Sequence, residues 1–222
     1  MTGFRERLRA LPVLPDGLTA WDVEDLDDLP ATPHALFESW FEETVAAGAT
    51  GPHAMTLSTS DGRGAVHART VILKDLTPEG WWFAGHATSP KGVDLASDPR
   101  AALTFLWRET GRQVRVTGTA VSDPDAGAAD FRARPDASRA AGLVGRQSET
   151  LAAVGEHRAA WADALDRVRA DPELVAPTWT AWCLRPRDVE FWGSGAGTGQ
   201  TRVRYCRPDT SGRRWTKEFL WP

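Results

Sequence analysis

Apolar positions along this chain change period several times, and the changes divide it into elements. Residues 1–31 are rich in Pro, Asp and Leu and show no clear period, which marks an N-terminal arm that docks on the body or stays mobile. Thr32-Pro33 then offers an N-cap with proline at the first helical position. Leu36, Phe37, Trp40, Phe41 and Val45 fall on one helical face, and Gly48 is the stop. From His53 the period becomes two. Residues 53–60 and 65–74 flank Asp61-Gly62-Arg63-Gly64, a strong hairpin signal. Further strands are expected at 81–86, 101–108 and 112–122, the last two joined by a Thr110-Gly111 turn, with a short helix from Pro90 to Ala96.

Residues 123–170 are Ala-rich, with Leu and Trp at helical spacing, and read as two or three helices. Phe131, Leu151, Val154, Trp161, Leu165 and Val168 supply their apolar faces. Strands return at 178–185, 188–192, 202–207 and 214–220, with a turn from Pro208-Asp209 to Gly212. A block of strands, inserted helices and a second block of strands predict an α+β protein: an antiparallel β-barrel with peripheral helices. No internal repeat or low-complexity tract interrupts residues 32–222, which read as one domain after the arm.

Composition narrows the function classes. With 41% hydrophobic and 25% charged residues the chain is ordinary for a globular protein, and a formal charge of −4 gives no reason to expect nucleic acid. The two cysteines, Cys183 and Cys206, form neither a metal-ligand spacing nor a disulfide framework, and the five histidines are scattered, so no metal is expected. The first residues carry charges with no apolar stretch after them, and no apolar run approaches the roughly 20 residues of a membrane span. A cytoplasmic protein is the expectation. Eleven tryptophans are many for 222 residues; most belong in a core or interface, and some suit the walls of a planar-ligand site.

Of the 26 Lys and Arg residues only three are lysines, and two of these, Lys74 and Lys91, lie close together in sequence. The run from Arg69 to Lys74 is an apolar strand with a cation at each end, and Ser89-Pro90-Lys91 reads as a helix start. Fixed cations beside a helix N-terminus suit a phosphate-bearing ligand, because unpaired backbone N–H groups and the helix dipole favour an anion there. Solvated strand ends are the other reading. Residues 69 and 74 are five apart, so on a regular strand they face opposite ways. Either a twist or bulge intervenes, or the two cations serve different groups. Each remaining unusual segment also has two readings. Gln113 and Gln147 suit a polar site or an exposed surface, Trp192 a site or the core. Arg134 suits a ligand or a pairing with Asp130 or Asp136 at a helix end.

Taken in order, these segments resemble the pyridoxamine 5′-phosphate oxidase family, flavoproteins built on the FMN-binding split barrel. The resemblance rests on Arg-x-x-x-Leu-Lys at 69–74, Ser-x-Lys at 89–91, Arg-Gln-Val at 112–114, Arg-Pro at 134–135, Arg-Gln-Ser at 146–148 and Glu-Phe-Trp at 190–192, and runs from about Leu36 to the C-terminal Pro222. It implies a homodimer with FMN at the subunit interface and a small-molecule substrate. Arg69 and Lys91 would hold the FMN phosphate with Ser89 nearby, and the backbone of Val71, Ile72, Leu73 and Lys74 would line the isoalloxazine ring. Gln113, Gln147, Ser148, Trp192 and Arg202 would complete the flavin site. Lys74, Arg134 and Ser138 match positions that grip the phosphate of a vitamin B6 substrate.

The chain departs from the family where the substrate ring would sit. The family's Arg-x-His-x-Arg is Thr198-Gly199-Gln200-Thr201-Arg202 here, so Thr198 and Gln200 replace the ring-contacting pair. The family's aromatic residue four before the arginine is Asp130, which either points away from a phosphate or signals a different ligand. Ala84-Gly85 lacks a hydroxyl that many members place against the FMN phosphate. The glycine-rich stretch from Gly193 to Gly199 reads as a mobile loop and lacks the Lys-Ser/Thr of a nucleotide-cradling loop. The expected chemistry is oxidation of a C–N or C–H bond, with hydride passing to the flavin and dioxygen reoxidising it, and no catalytic acid or base is demanded. Three readings stay open: a pyridoxine/pyridoxamine 5′-phosphate oxidase; an FMN oxidase of another heterocycle, as in phenazine biosynthesis, whose members resemble this chain at 107–110 and 145–149; and a flavin-binding protein without turnover.

Overall fold

The computed structural model describes residues 3–195, 199–207 and 214–222. In chain order they form α1 (Phe4–Arg9), a 3-10 turn (Leu26–Asp28), α2 (Pro33–Ala46), β1 (Ala54–Ser60), β2 (Val66–Ile72), β3 (Asp75–Thr77), β4 (Gly80–His86), α3 (Pro90–Ser97), β5 (Arg100–Trp107) and β6 (Arg112–Asp123). Then come α4 (Pro124–Ala133), α5 (Asp136–Val144), α6 (Val154–Ala170), β7 (Trp179–Gly195), β8 (Gly199–Cys206) and β9 (Thr216–Phe219). Strands pair in the order β2-β1-β5-β6-β7-β4-β3, with β8 between β7 and β9, and the path does not close. The pairings β3–β4, β4–β7, β7–β8 and β8–β9 are antiparallel. The chain forms two compact units: residues 1–55, 103–116 and 187–222, and residues 56–102 and 117–186.

In the first unit, Thr32 caps α2 as expected, its hydroxyl accepting from Ala35 N at 3.4 Å. Leu36, Phe37 and Trp40 are buried, but the face then turns to Thr44, whose Oγ1 donates to Trp40 O at 2.7 Å, and leaves Val45 exposed. Aromatic edges build this core: Phe37 meets Phe105 at 4.9 Å, Trp40 meets Phe191 at 5.1 Å and Phe191 meets Tyr205 at 5.6 Å. The arm holds a short exposed helix and a 3-10 turn that the sequence pattern did not reveal. Its second half is tied down. Trp21 N donates to Ser194 O at 2.7 Å, Tyr205 Oη to Pro30 O at 2.9 Å, and Lys217 to the carbonyls of Leu26 and Leu29. The third lysine is therefore structural.

In the second unit, Asp61 Oδ1 accepts from the N–H groups of Arg63 and Ala65 at 2.8 and 3.0 Å and shapes the β1–β2 turn, with Gly62 at φ 74°. Three helices follow β6, as the pattern allows. Phe131 and Val168 are buried, whereas Leu151 and Val154 are exposed (46% and 62%), against the expectation that they build a covered face. Arg139, buried in α5, donates to Pro172 O and Leu174 O at 2.6 and 2.9 Å and so fixes the turn after α6.

Two expected strand boundaries are corrected. The segments 178–185 and 188–192 are one strand, β7, because Pro186 removes a single ladder donor without breaking the extended backbone. Residues 193–195 continue that strand rather than opening a loop, with Gly193 opposite Thr201 and Ser194 opposite Gln200. The expected turn at 208–212 lies outside the described residues.

Candidate functional site

A buried polar cluster gathers where β4 leads into α3. Ser89 occupies the N-cap position, but its side chain does not cap the helix. Its Oγ donates to His86 O at 2.6 Å and accepts from Lys91 Nζ at 2.8 Å. The first N–H groups of α3 have no intrahelical acceptor by the geometry of any helix, so this end keeps its affinity for an anion. Lys91 is 5% exposed and reaches Gln147 Oε1 at 3.2 Å as its other partner. Both partners are neutral oxygens. Burial, and then the nearby charge of Arg69, push the ammonium down to about 8.

Two glycines make room for this arrangement. A Cβ on Gly85 would stand 2.6 Å from Lys91 Cε, so the lysine stem lies flat against the β4 backbone. A Cβ on Gly92 would collide with the Ala87 carbonyl, so only glycine lets α3 start this close to the preceding turn. The missing hydroxyl at 84–85 thus has a steric counterpart.

Arg69 enters from β2. Its Nη1 donates to Leu57 O at 3.1 Å and Thr59 Oγ1 at 2.7 Å, and its Nη2 stands 3.5 Å from Asp94 Oδ2. The same carboxylate oxygen accepts from Thr59 at 2.6 Å and lies 3.0 Å from His67 Nδ1. Burial opposes the charge of Asp94, yet the bonds from Thr59 and His67 and the charge of Arg69 hold it below its ordinary value. Thr59, His67 and Asp94 escaped the sequence reading, since an acid inside a short helix carries no motif.

A second cluster lies in the same unit. β2 ends at Ile72, so Leu73 and Lys74 are outside the strand. Lys74 N donates to Trp82 O at 2.8 Å, and its ammonium stands 3.2 Å from Asp130 Oδ1. Arg69 and Lys74 thus have different partners in the protein, and Asp130 does not point away from the lysine. Its Oδ2 accepts from Trp179 Nε1 at 3.1 Å. The Arg134 guanidinium lies 4.3 Å over the same Trp179 ring, and its buried Nη1 has no hydrogen-bond partner among the described residues. Burial lowers the Arg134 value against the opposing pull of Asp130. Ser138 is half-buried in the first turn of α5. A groove of about 390 Å³ is lined by His86, Arg134, Gly142, Gln147 and Trp179, with Gln147 from the first cluster and Arg134 and Trp179 from the second. Val71 and Leu73 are half-buried and Ile72 exposed, and Ser148, beside Gln147, is exposed at φ 68°.

In the other unit, buried Glu190 accepts from Arg115 Nη2 at 2.9 Å and from Arg202 Nε at 3.0 Å and Nη2. Trp192, opposite Arg202 in the β7–β8 register, donates its indole N–H to Gln200. Gln113 is half-buried in β6. Thr198 lies outside the described residues. The roles of Glu190 and Arg115 were not foreseen, although Glu190 sits in a quoted motif.

Residues 41–192 match the family model described as pyridoxamine 5′-phosphate oxidase, and residues 179–222 match the pyridoxine 5′-phosphate oxidase C-terminal dimerisation region. A pyridoxine/pyridoxamine 5′-phosphate oxidase of Rhodopseudomonas palustris is 36% identical over 213 residues, covering 94% of this chain and 96% of its own. One of Salinibacter ruber is 36% identical over 202 residues, covering 88% and 92%. Among solved structures, PhzG from Burkholderia lata, in complex with tetrahydrophenazine-1-carboxylic acid, superposes with a TM-score of 0.82 at 28% identity, covering 92% of this chain and all of that one. A pyridoxamine 5′-phosphate oxidase-related, FMN-binding protein from Nostoc punctiforme shares the fold at a TM-score of 0.71 and 18% identity, covering 87% of this chain and all of its own. No helix among the described residues is long and apolar enough to cross a membrane. With the fold of the split barrel, a matched dimerisation region and a buried cation at a helix start, the chain belongs to the pyridoxamine 5′-phosphate oxidase family and is an FMN-dependent oxidoreductase.

Proposed function

We propose that Arg69, Lys91 and Ser89 hold the phosphate of FMN and that the protein oxidises a C–N or C–H bond of a small anionic heterocycle with dioxygen as acceptor. One observation carries the reading. Lys91 is a buried cation whose partners are neutral oxygens, pressed by a second cation, and a phosphate dianion at the N-terminus of α3 would relieve both costs. Charge-assisted contacts of this kind contribute roughly 1.5–3 kcal/mol each.

The other residues take supporting parts in the same proposal. β2 is the last strand of the pairing path and leaves one face uncovered, so the backbone from Val71 through Ile72 and Leu73 to Lys74 is free to lie along a flat ring. Gln147 and Ser148 stand beside the phosphate cluster, while Gln113, Trp192 and Arg202 belong to the flavin site of a homodimer. Arg202 is held in place by Glu190 rather than left free. Held by Arg69, Lys91 and Ser89, FMN would supply two-electron oxidation of the substrate, with dioxygen and a proton from solvent giving hydrogen peroxide as the by-product. The chain's own task is to bind, orient and exclude water. Lys74, Arg134, Ser138, Thr198 and Gln200 are the proposed substrate side, and the arm before residue 32 takes no assigned part. Two free cysteines fit a cytoplasmic setting.

Two substrate classes fit this frame. The relatives' names favour pyridoxine or pyridoxamine 5′-phosphate. The ion pair of Lys74 with Asp130 favours a different heterocycle. The test is to purify the protein, record its visible spectrum, and follow peroxide release with pyridoxine 5′-phosphate and pyridoxamine 5′-phosphate. A yellow protein that releases peroxide supports the reading, and a colourless protein that takes up no FMN overturns it.

A further inference from the structure

We infer that Asp130 is a specificity-determining residue that cancels the charge of Lys74 and sets the substrate's handle to a single carboxylate instead of a phosphate. The inference rests on the substrate side proposed above. Arg134 lines this end of the groove and Lys74 belongs to the same cluster through Asp130, and a phosphate monoester carries a charge of about −1.5 to −2 at neutral pH. Asp130 stands 3.2 Å from the Lys74 ammonium, and its charge also acts on Arg134. The sum is one net positive charge, which matches a monoanion and leaves a dianion facing a fixed carboxylate.

Asp130 is held there from several sides. It lies in the last turn of α4, where the helix dipole disfavours an acid, so local structure alone gives no reason for it. Lys74 and the Trp179 indole N–H offset that cost by binding both of its oxygens. The same indole is the platform on which Arg134 stacks at 4.3 Å. Asp130 therefore fixes the platform as well as the charge. What remains available is the buried Arg134 Nη1, without a partner among the described residues. A planar guanidinium pinned on an indole pairs two-pronged with a planar carboxylate, and a ring carrying that carboxylate continues along the groove toward Gln147.

The test uses FMN-loaded protein and two probes, phenazine-1-carboxylate and pyridoxal 5′-phosphate, with dissociation constants read from quenching of tryptophan fluorescence and from the flavin spectrum. The wild type is expected to bind the carboxylate at least tenfold more tightly. Asp130→Asn keeps an acceptor for Trp179 and removes the charge, and it should shift the ratio of the two constants at least tenfold toward the phosphate. Asp130→Glu keeps the charge and should retain the wild-type preference. A wild type that prefers pyridoxal 5′-phosphate, or a ratio that moves less than twofold in Asp130→Asn, overturns the inference while leaving the flavin reading intact. Failure to load FMN at all sinks the flavin reading itself.

Discussion

The ammonium of Lys91 rests 2.8 Å from the hydroxyl of Ser89, which itself donates to the His86 carbonyl, so a buried cation ends on a chain of neutral oxygens. Burial and Arg69 bring its value down to about 8 from the ordinary 10.5. A lysine with a lower value when folded binds fewer protons folded than unfolded between those limits. The cost of its charge is full below pH 8, and apoprotein stability is expected to rise from pH 8 to 10.5. FMN would favour the protonated form, so binding takes up a proton above pH 8 and affinity falls there, approaching about tenfold per pH unit. Titrating apoprotein with FMN from pH 7 to 10 checks this. A flat profile in the wild type, or one unchanged in Lys91→Gln, contradicts it.

Gly92→Ala places a Cβ against the Ala87 carbonyl, a backbone atom that cannot swing aside. The expected loss is about 1–3 kcal/mol of stability, with weaker FMN binding as the start of α3 is displaced. Thermal unfolding of the apoprotein measures the first part. An unchanged Tm would show that α3 has slack.

Glu190 binds two arginines unequally. Arg202 reaches it through two nitrogens and is 25% exposed, whereas Arg115 reaches it through one and is 47% exposed. Double-mutant cycles are expected to give about 1–3 kcal/mol of coupling for Glu190 with Arg202 and below about 1 kcal/mol with Arg115. The reverse order would mean that Arg202 is not anchored by this carboxylate.

Trp221 is 93% exposed in the single chain and lies in the segment matched by the dimerisation region. Aromatic residues are enriched in interfaces, so this indole is the candidate chosen for the contact between two copies. Light scattering should give a dimer for the wild type and a lower association constant for Trp221→Glu. A dimer of equal strength in the variant places the contact elsewhere.

Much of this molecule was legible in its sequence because the signals were local. Thr32-Pro33 announces α2, and Asp61-Gly62 announces the β1–β2 turn through hydrogen bonds within five residues. What stayed hidden depends on distant partners. Pro186 reads as a break, yet β7 passes through it. Leu151 and Val154 have the spacing of a covered face, yet both are exposed among the described residues. The site divides the same way. Arg69, Ser89, Lys91 and Gln147 stand in ordered motifs, and the structure brings them together in one unit. Asp94 carries no motif, and the direction of the Asp130 side chain is set by Lys74 and Trp179, which are 56 and 49 residues away in the chain.

The Lys91 cluster is expected to recognise a phosphate. Riboflavin and FMN differ only in that group, so their dissociation constants should be measured side by side for wild-type apoprotein and Lys91→Gln. The expected result is a preference for FMN of about 100-fold or more in the wild type, cut at least tenfold in the variant. An equal preference for FMN in both proteins would contradict the account and move the phosphate away from the start of α3.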